Sequence, residues 1–472
     1  MGNVDIILDG EAGSCGKGKL IAEYALHIIN LGAAVTNCMP NAGHTYVDEN
    51  GNVYLFRNIP VSCVNPNTEL FIGPGSAIDM ETFIEEYERL EPLLNGRKIY
   101  VHEMVPLIEK RHKIYERKHI KSGSTFKGCG AVSVEKIMRD KNLKFFKTYK
   151  NAVVCSNKEW LEKLHAHINN QNERVLLEGS QGCSLSINFS GNYPHVTSRN
   201  VSASQLLADS GISPFRVGEI IMVIRAFPIR ISNVTNDGRY INTGQYGSGR
   251  ELTWSEVNLG ALNGVYPYRG NCPIEAYYEL AYHAKPIFEQ NMEYILYMYK
   301  SLPKDYKMQL CGGKILKSLT PDRVNLENAT EIERLYWKSL NVREYTSFVI
   351  AHINNNGRVF DGTNYNIRDL SELTSVTRKE RKIYTNDIDK LKCNVIANEP
   401  TGIYLNFAQY LDIHLENKVG EYSDLVNYPE INMDNLNRFI EWIESECGVP
   451  IVALGTGARN GQRIRRRESV IG

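Results

Sequence analysis

The sequence predicts an α/β protein with a mostly parallel central sheet and flanking helices. Three observations lead there. An apolar run, Val4 to Leu8, passes into a glycine-rich loop and then into Leu20 to Leu31, whose apolar residues recur at helical spacing. The same strand-then-glycine-turn pattern returns at Leu70 to Ser76, at Arg174 to Gly182 and at Val449 to Arg459. Strands that alternate with helices and end in polar loops are the signature of a parallel sheet, which binds ligands beyond the carboxyl ends of its strands.

The loop Gly10-Glu11-Ala12-Gly13-Ser14-Cys15-Gly16-Lys17-Gly18-Lys19 has the features of a phosphate site. Its glycines allow close backbone approach, the helix start offers free N–H groups, and Lys17 or Lys19 supplies positive charge. It is not a Walker A loop, because Gly18 follows Lys17 where Ser or Thr is required. A second polar turn, Asn41 to Thr45, precedes a hairpin that Asp48 to Asn52 closes, with Val53 to Leu55 as its return strand. Asp79 to Leu94 reads as a helix capped by Asp79, Lys98 to His102 as a strand, and Glu109 to Lys121 as a solvated helix. Lys121 to Gly130 is a glycine- and hydroxyl-rich loop leading into a helix from Val132 to Arg139. Residues 258–369, rich in Tyr, Leu and Asn, read as a largely helical insertion into a core of residues 1–257 and 370–472. Val395 to Leu411 reads as strand, Met433 to Glu446 as a helix and Val449 to Leu454 as a last strand.

Composition narrows the class. The 472 residues are 42% hydrophobic and 23% charged, as in a globular protein. Lys plus Arg and Asp plus Glu each number 54, which argues against nucleic-acid or membrane binding by bulk charge. No apolar run approaches the ~18 residues that span a membrane, and no leader pattern opens the chain. Ten scattered cysteines without a C-x-x-C pair point to a reducing, cytoplasmic setting rather than a disulfide or zinc framework.

Taken in order, Gly13-Ser14-Cys15-Gly16-Lys17-Gly18-Lys19, Asn41-Ala42-Gly43-His44-Thr45, Gly123-Ser124-Thr125, Glu178-Gly179-Ser180-Gln181-Gly182 and Tyr193-Pro194-His195-Val196-Thr197-Ser198 resemble the signatures of adenylosuccinate synthetases. The resemblance implies that family's fold, related to phosphate-loop proteins, and its chemistry. A nucleoside triphosphate phosphorylates the 6-oxygen of a purine monophosphate, and the amine of L-aspartate then displaces phosphate at C6. Two departures bear on the branch. The family's first loop reads G-D-E-G-K-G-K, and its Asp takes the N1 proton of IMP; here that position is Ser14, a poor base. The same serine is seen in the phage branch that acts on dGMP, where a small hydroxyl leaves room for the 2-amino group. Thr197-Ser198-Arg199 also looks like that branch. The donor segment T-K-L-D is replaced by Asn406-Phe407-Ala408-Gln409, and S-V-G-P-D-R by Leu454-Gly455-Thr456-Gly457-Ala458-Arg459. The groups that read guanine are gone, so ATP or dATP is the expected donor.

Carried over by position, the resemblance implies these roles. Ser14, Lys17, His44 and Gln181 serve catalysis. The triphosphate meets Gly13 to Gly18, Gly43, His44, Thr45, Asn406, Gly455, Thr456 and Gly457. Magnesium meets the Gly43 carbonyl and Ser14, the protein having lost one ligand with the missing Asp. The purine monophosphate, dGMP, is lined by Ser14, Asn41, Ser124, Thr125, Gln181 and Thr197, with Arg139 matching an arginine that crosses a dimer interface. Thr374, Ser375, Val376, Thr377, Arg378, Lys379 and Arg381, with Lys382, clamp aspartate. A homodimer is implied. Taken alone, a loop histidine or hydroxyl is more often a structural hydrogen-bonding group. Two alternatives stay open: action on IMP or dIMP, and a catalytically silent nucleotide sensor.

Overall fold

A computed structural model describes residues 2–120, 124–231, 233, 242–252, 257, 261, 266, 372 and 381–467. The first half of the chain lays down β1 (Val4–Asp9), β2 (Leu31–Thr36), the hairpin β3 (His44–Val47) and β4 (Val53–Phe56), β5 (Glu69–Ile72), β6 (Ile99–His102), β7 (Ala152–Cys155), β8 (Arg174–Glu178) and β9 (Val217–Arg225). Short strands β10 (Ile229–Arg230), β11 (Glu251–Leu252) and β12 (Lys382–Tyr384) form a separate three-stranded sheet. The chain ends with β13 (Gly402–Asn406), β14 (Gly420–Glu421), β15 (Ile451–Gly455) and β16 (Arg463–Arg465).

Eleven of these strands make one sheet in the order β14-β16-β15-β13-β9-β1-β8-β2-β5-β6-β7. Every neighbouring pair is parallel except β15 and β16. The central strands are apolar on both faces, as a parallel sheet covered by helices requires; β1 is buried at all six positions. Among the described residues the α-helices are α1 (Lys17–His27), α2 (Met80–Leu94), α3 (Lys110–His119), α4 (Cys129–Ile137), α5 (Asn157–Asn169), α6 (Ala203–Ser210), α7 (Ile388–Asn398) and α8 (Met433–Cys447), with short 3₁₀ turns between elements. None is long and apolar enough to cross a membrane.

The α/β reading holds, with differences of detail. Asp79 precedes α2, but its carboxylate makes no cap bond and pairs with Lys113 instead. Val395 to Asn398 end α7 rather than begin a strand; β13 starts at Gly402, after the left-handed Glu399 (φ 44°) breaks the helix. The helical insertion assigned to residues 258–369 lies outside the described residues except for Ala261 and Tyr266. Both are buried in the main core, where the Tyr266 ring packs 4.9 Å from Phe227 and 4.6 Å from Phe439.

Buried carboxylates hold the strand ends where ligands bind in such sheets. Glu178, at the end of β8, accepts from the N–H groups of Val61 (2.8 Å) and Ser62 (2.9 Å). Glu86 of α2 accepts from Arg57, Asn58 and Ile59. Burial pushes both carboxyls up to about 7. Glu178 therefore anchors the 61–62 turn beneath the sheet end.

On the other face, Trp160 of α5 is 1% exposed, stands edge-on to Phe71 at 5.4 Å and donates from Nε1 to the Ser210 carbonyl at 3.1 Å. Trp160→Ala removes this packing and leaves that carbonyl unpaired. It should cost about 3–5 kcal/mol, read as a lower urea midpoint with an unchanged slope.

Candidate active site

β1 delivers Asp9 to the floor of the glycine loop. Asp9 is fully buried. Its Oδ1 accepts from the N–H groups of Glu11 (2.9 Å) and Gly13 (3.2 Å); its Oδ2 accepts from the Cys15 N–H (3.2 Å) and from Lys17 Nζ (3.0 Å). One carboxylate thus gathers alternate N–H groups of the loop inward. The N–H groups of Ser14 and Gly16, and those of Lys17 and Gly18 that open α1, find no protein acceptor among the described residues. Outward donors at a helix start, with a lysine beside them, make an anion site.

Neighbouring loops close on this one. Gln181 adopts a left-handed backbone (φ 62°), and its carbonyl accepts from Lys17 Nζ at 2.8 Å. Gly182 lies so close that an added Cβ would sit 2.2 Å from the Glu11 carbonyl oxygen and 2.3 Å from the Gly13 nitrogen. Asn406, at the end of β13, donates from Nδ2 to the Cys15 carbonyl at 2.9 Å. It is wedged so tightly that a Cβ on Gly16 would meet Nδ2 at 2.0 Å and one on Gly455 would meet Oδ1 at 2.1 Å. Ser14 sits at the outer turn of the loop, exposed and left-handed (φ 59°).

His44, in β3, is 8% exposed and its Nε2 has no protein partner. Burial, with Lys17 adding positive charge, lowers its pKa to about 3, so the imidazole is neutral at physiological pH. Lys19 turns away, its Nζ donating to the Gln462 carbonyl and lying 3.7 Å from Glu23. Lys17 is therefore the loop's inward-facing lysine.

Beneath the loop lies Arg225, the last residue of β9, fully buried. Its Nη1 donates to the Ser14 carbonyl at 3.2 Å, its guanidinium pairs with Glu372, and it stands 4.1 Å over the Phe407 ring. Burial pulls its pKa down, but the charge and hydrogen bonds of Glu372 act the other way and the net direction is up. Glu372 in turn accepts from Tyr410 OH at 2.8 Å, and its carbonyl accepts the Arg381 N–H at 2.9 Å. Glu11, next to Asp9, shifts toward its neutral form: burial and then the Asp9 charge raise its carboxyl to about 8.

An adenylosuccinate synthetase family model matches residues 6–159 and 140–237. An N6-succino-2-amino-2′-deoxyadenylate synthase of Vibrio phage phiVC8 is 34% identical over 269 residues, which is 54% of this chain and 74% of that protein. The chain belongs to the adenylosuccinate synthetase family. An adenylosuccinate synthetase of Pyrococcus sp. (strain ST700) is 35% identical over 238 residues, 48% of this chain and 66% of that protein, so the match spans just under two thirds of this relative. Among solved structures, the cyanophage S-2L succinoaminodeoxyadenylate synthetase (PurZ), bound to dGMP and to dATP as an energy donor, superposes with a TM-score of 0.62. It shows 20% identity and covers 98% of this chain and 95% of that one. The Plasmodium falciparum adenylosuccinate synthetase superposes with a TM-score of 0.59 at 15% identity, covering 99% and 100%. These two likenesses show that the fold is the family's.

Of the residues picked out in the sequence, Gly13, Ser14, Cys15, Gly16, Lys17, Gly18, His44, Thr45, Gln181, Asn406 and Gly455 gather around the loop. Arg381 joins them through Glu372. Thr456 is buried and donates to the Lys418 carbonyl at 2.6 Å, and Gly457 lies against Gln462 and Asn417. Ser124 Oγ accepts from the Phe126 N–H at 3.1 Å, and Thr125 is exposed. The N–H groups of Gly128 and Gly130 are taken by Glu116 (2.8 and 2.7 Å), so this second glycine loop caps α4 with a protein carboxylate. Arg139 is exposed at the far end of α4. The Thr197 N–H donates to the Leu185 carbonyl at 2.8 Å. Gly123 and the 374–379 segment lie outside the described residues. Asp9, Glu11, Arg225 and Glu372 were missed. A carboxylate placed directly before Gly10 was the one legible signal among them.

Two outcomes test this geometry. Asp9→Asn turns an acceptor into a donor facing N–H groups. It should weaken binding of inorganic phosphate at least tenfold by calorimetry and cost about 1–3 kcal/mol of stability. His44 has a folded pKa below its unfolded value, so unfolding takes up a proton. The stability it contributes is present above pH 6.5 and is lost as pH falls from there toward 3. Its ring resonances should not titrate between pH 5 and 8, and His44→Gln should remove that part of the acid sensitivity.

Proposed function

We propose that this chain is a carbon–nitrogen ligase that joins L-aspartate to C6 of dGMP at the expense of ATP or dATP. The product is 2-amino-2′-deoxy-N6-succinyl-AMP, with ADP (or dADP) and phosphate. The observation that carries this reading is Ser14. It occupies the exposed turn of the phosphate loop, beside Lys17, where the family has a carboxylate. A hydroxyl there leaves room for, and can accept from, the 2-amino group of guanine. The relative from phage phiVC8 bears a matching name, and the S-2L structure holds dGMP and dATP.

The residues divide the work by their chemistry. Lys17 shifts from Asp9 toward the transferring phosphoryl group, whose oxygens meet the free N–H groups of the loop. Neutral His44 donates a hydrogen bond from Nε2 to the 6-oxygen, a role that a buried imidazole with no protein partner at that atom can fill. Gln181 orients the purine. Arg381, with Lys379 and the 374–378 segment, draws in the carboxylates of aspartate.

Magnesium fits this donor set only as a passenger on phosphate. Asp9 is saturated by four donors, Glu11 holds its proton, and the two remaining ligands, Ser14 and the Gly43 carbonyl, are neutral. No cluster of three His, Cys, Asp or Glu able to hold a metal occurs among the described residues. The ion would offset phosphate charge, with Gly43 and Ser14 completing its shell. A homodimer suits the exposed Ile137 and Met138 beside Arg139, 75% and 73% exposed.

The test is a mass-spectrometric product assay with ATP, Mg²⁺ and L-aspartate, offering dGMP, GMP, IMP and dIMP separately. Succinylated product from dGMP is expected. Product from IMP alone would overturn the branch, and no product with any purine would overturn the activity. Ser14→Asp should lower the ratio of dGMP to IMP turnover at least tenfold, because the larger anionic side chain fills the space for the 2-amino group.

A further inference from the structure

The glycine loop carries two carboxyl groups on its inner side, and they are served unequally. Asp9 has four donors, Lys17 among them. Glu11 is as deeply buried. Its Oε2 accepts from the Cys15 thiol at 3.2 Å and from the Arg225 N–H at 3.3 Å, and its Oε1 has no partner. A thiol is a weak donor, and 3.3 Å is long for an N–H bond. A buried carboxyl with so little to hold a charge keeps its proton. The groups that face it agree. Asp9 on its own loop repels a charge there more than Arg225 at the end of β9 attracts one. Arg225 is paired with Glu372, and Lys17 of α1 is spent on Asp9 and the Gln181 carbonyl. Burial keeps the Cys15 thiol and the Tyr246 phenol, on the segment that leads to β11, in their neutral forms.

This carboxyl sits where the family's loop has one, but it comes from another residue. In G-D-E-G-K-G-K the glutamate falls at Cys15. Here the Cys15 thiol meets the Glu11 side chain end to end. The Glu11 backbone is fixed as well: its N–H donates to Asp9 Oδ1 and its carbonyl accepts the Ser184 N–H at 2.9 Å. Charge balance decides what the proton does. Lys17 balances Asp9, so with Glu11 neutral the loop meets an anion with N–H dipoles and no net charge. Ionised Glu11 would leave the loop net negative, in an interior where like charges repel strongly.

We propose that Glu11 is a positioning residue of the glycine loop: it brings to Cys15, as an uncharged acid, the carboxyl that the family's loop carries at that position, and the loop takes up anions while this acid keeps its proton. The inference rests on the anion reading of the loop and not on the ligase reading. Anion binding and protonation are then linked. Near the Glu11 midpoint of about 8, an anion that enters the loop draws in a proton with it.

The experiment is calorimetric titration of the full chain with inorganic sulfate, which stays a dianion from pH 7 to 9.5, in buffers of different ionisation enthalpy. The wild type should bind sulfate about tenfold more weakly at pH 9.5 than at pH 7, because only the protonated fraction is competent. At pH 8.5 it should take up about half a proton per sulfate. Glu11→Gln cannot ionise, so the fall and the proton uptake should both disappear. Glu11→Gln/Cys15→Glu returns a carboxyl from the family's position and should bring both back; a double variant showing neither would overturn the exchange of positions. Lys17→Met should abolish sulfate binding. Binding that is absent from the wild type, survives Lys17→Met, is level with pH, or falls with pH in Glu11→Gln as in the wild type would overturn the proposal. If Glu11→Gln does not fold, the wild-type proton uptake decides, and its absence overturns the proposal. A wild type that makes no succinylated product yet binds sulfate with proton uptake loses the ligase reading and keeps this one. One that makes product but binds sulfate equally at all pH values loses this one alone.

Discussion

The Asp9 carboxylate is the contact on which the site depends. It takes three backbone N–H groups and one lysine from a loop with four glycines between residues 10 and 18, more of the loop's donors than any other group gathers. Alternate peptides are drawn inward, so the peptides between them face out. The loop is thereby organised for a second anion by one that is already built in. A fully buried carboxylate is tolerable only because four donors surround it. The same saturation leaves Asp9 no free lone pair for a metal or substrate, so it does not replace the carboxylate missing at Ser14.

Arg225 plays the corresponding part on the underside. Its guanidinium holds the Ser14 carbonyl and the Glu372 carboxylate and lies over Phe407, joining segments that are 211 and 147 residues from it in sequence. Removing one partner of such a buried pair leaves a bare charge, which costs about 3–5 kcal/mol. Through Glu372 the contact reaches Arg381, so the phosphate loop and the candidate aspartate arm share one buried ion pair. The donor side is set by shape as well. Asn406 spends its amide on the Cys15 carbonyl and the Phe407 N–H, filling the gap that Gly16 and Gly455 leave open. Its position was read from sequence as nucleotide-binding; in the fold its amide holds the glycine loop at Cys15.

Much of the architecture was legible because it rests on local patterns. Apolar runs gave β1, β5, β6, β8 and β15. Helical spacing gave α1, a candidate cap at Asp79 helped give α2, dense charge gave α3, α4 and α8 were also read as helices, and Asp48 to Asn52 gave the β3–β4 hairpin. The boundary at Val395 was misread because an apolar stretch at the end of a helix looks like a strand when its turn residue, Glu399, is not one that usually adopts positive φ. The glycine loop was legible as a candidate phosphate site because its residues are consecutive.

The sequence by itself determined the α/β class, the glycine loop that is the candidate phosphate site, and the family resemblance with Ser14 where that family has a carboxylate, since each is written in short contiguous motifs. Only the tertiary structure decided which groups face which. It turned Lys17 inward and Lys19 away, and it spent the second glycine loop on Glu116. It left His44 neutral and unpartnered at Nε2 and gave Arg225 a carboxylate. The physical reason is that burial and pairing set the state of a charged group. Its partners come from strand ends brought together by a sheet in which β1 lies between β8 and β9, some 170 and 213 residues further along the chain.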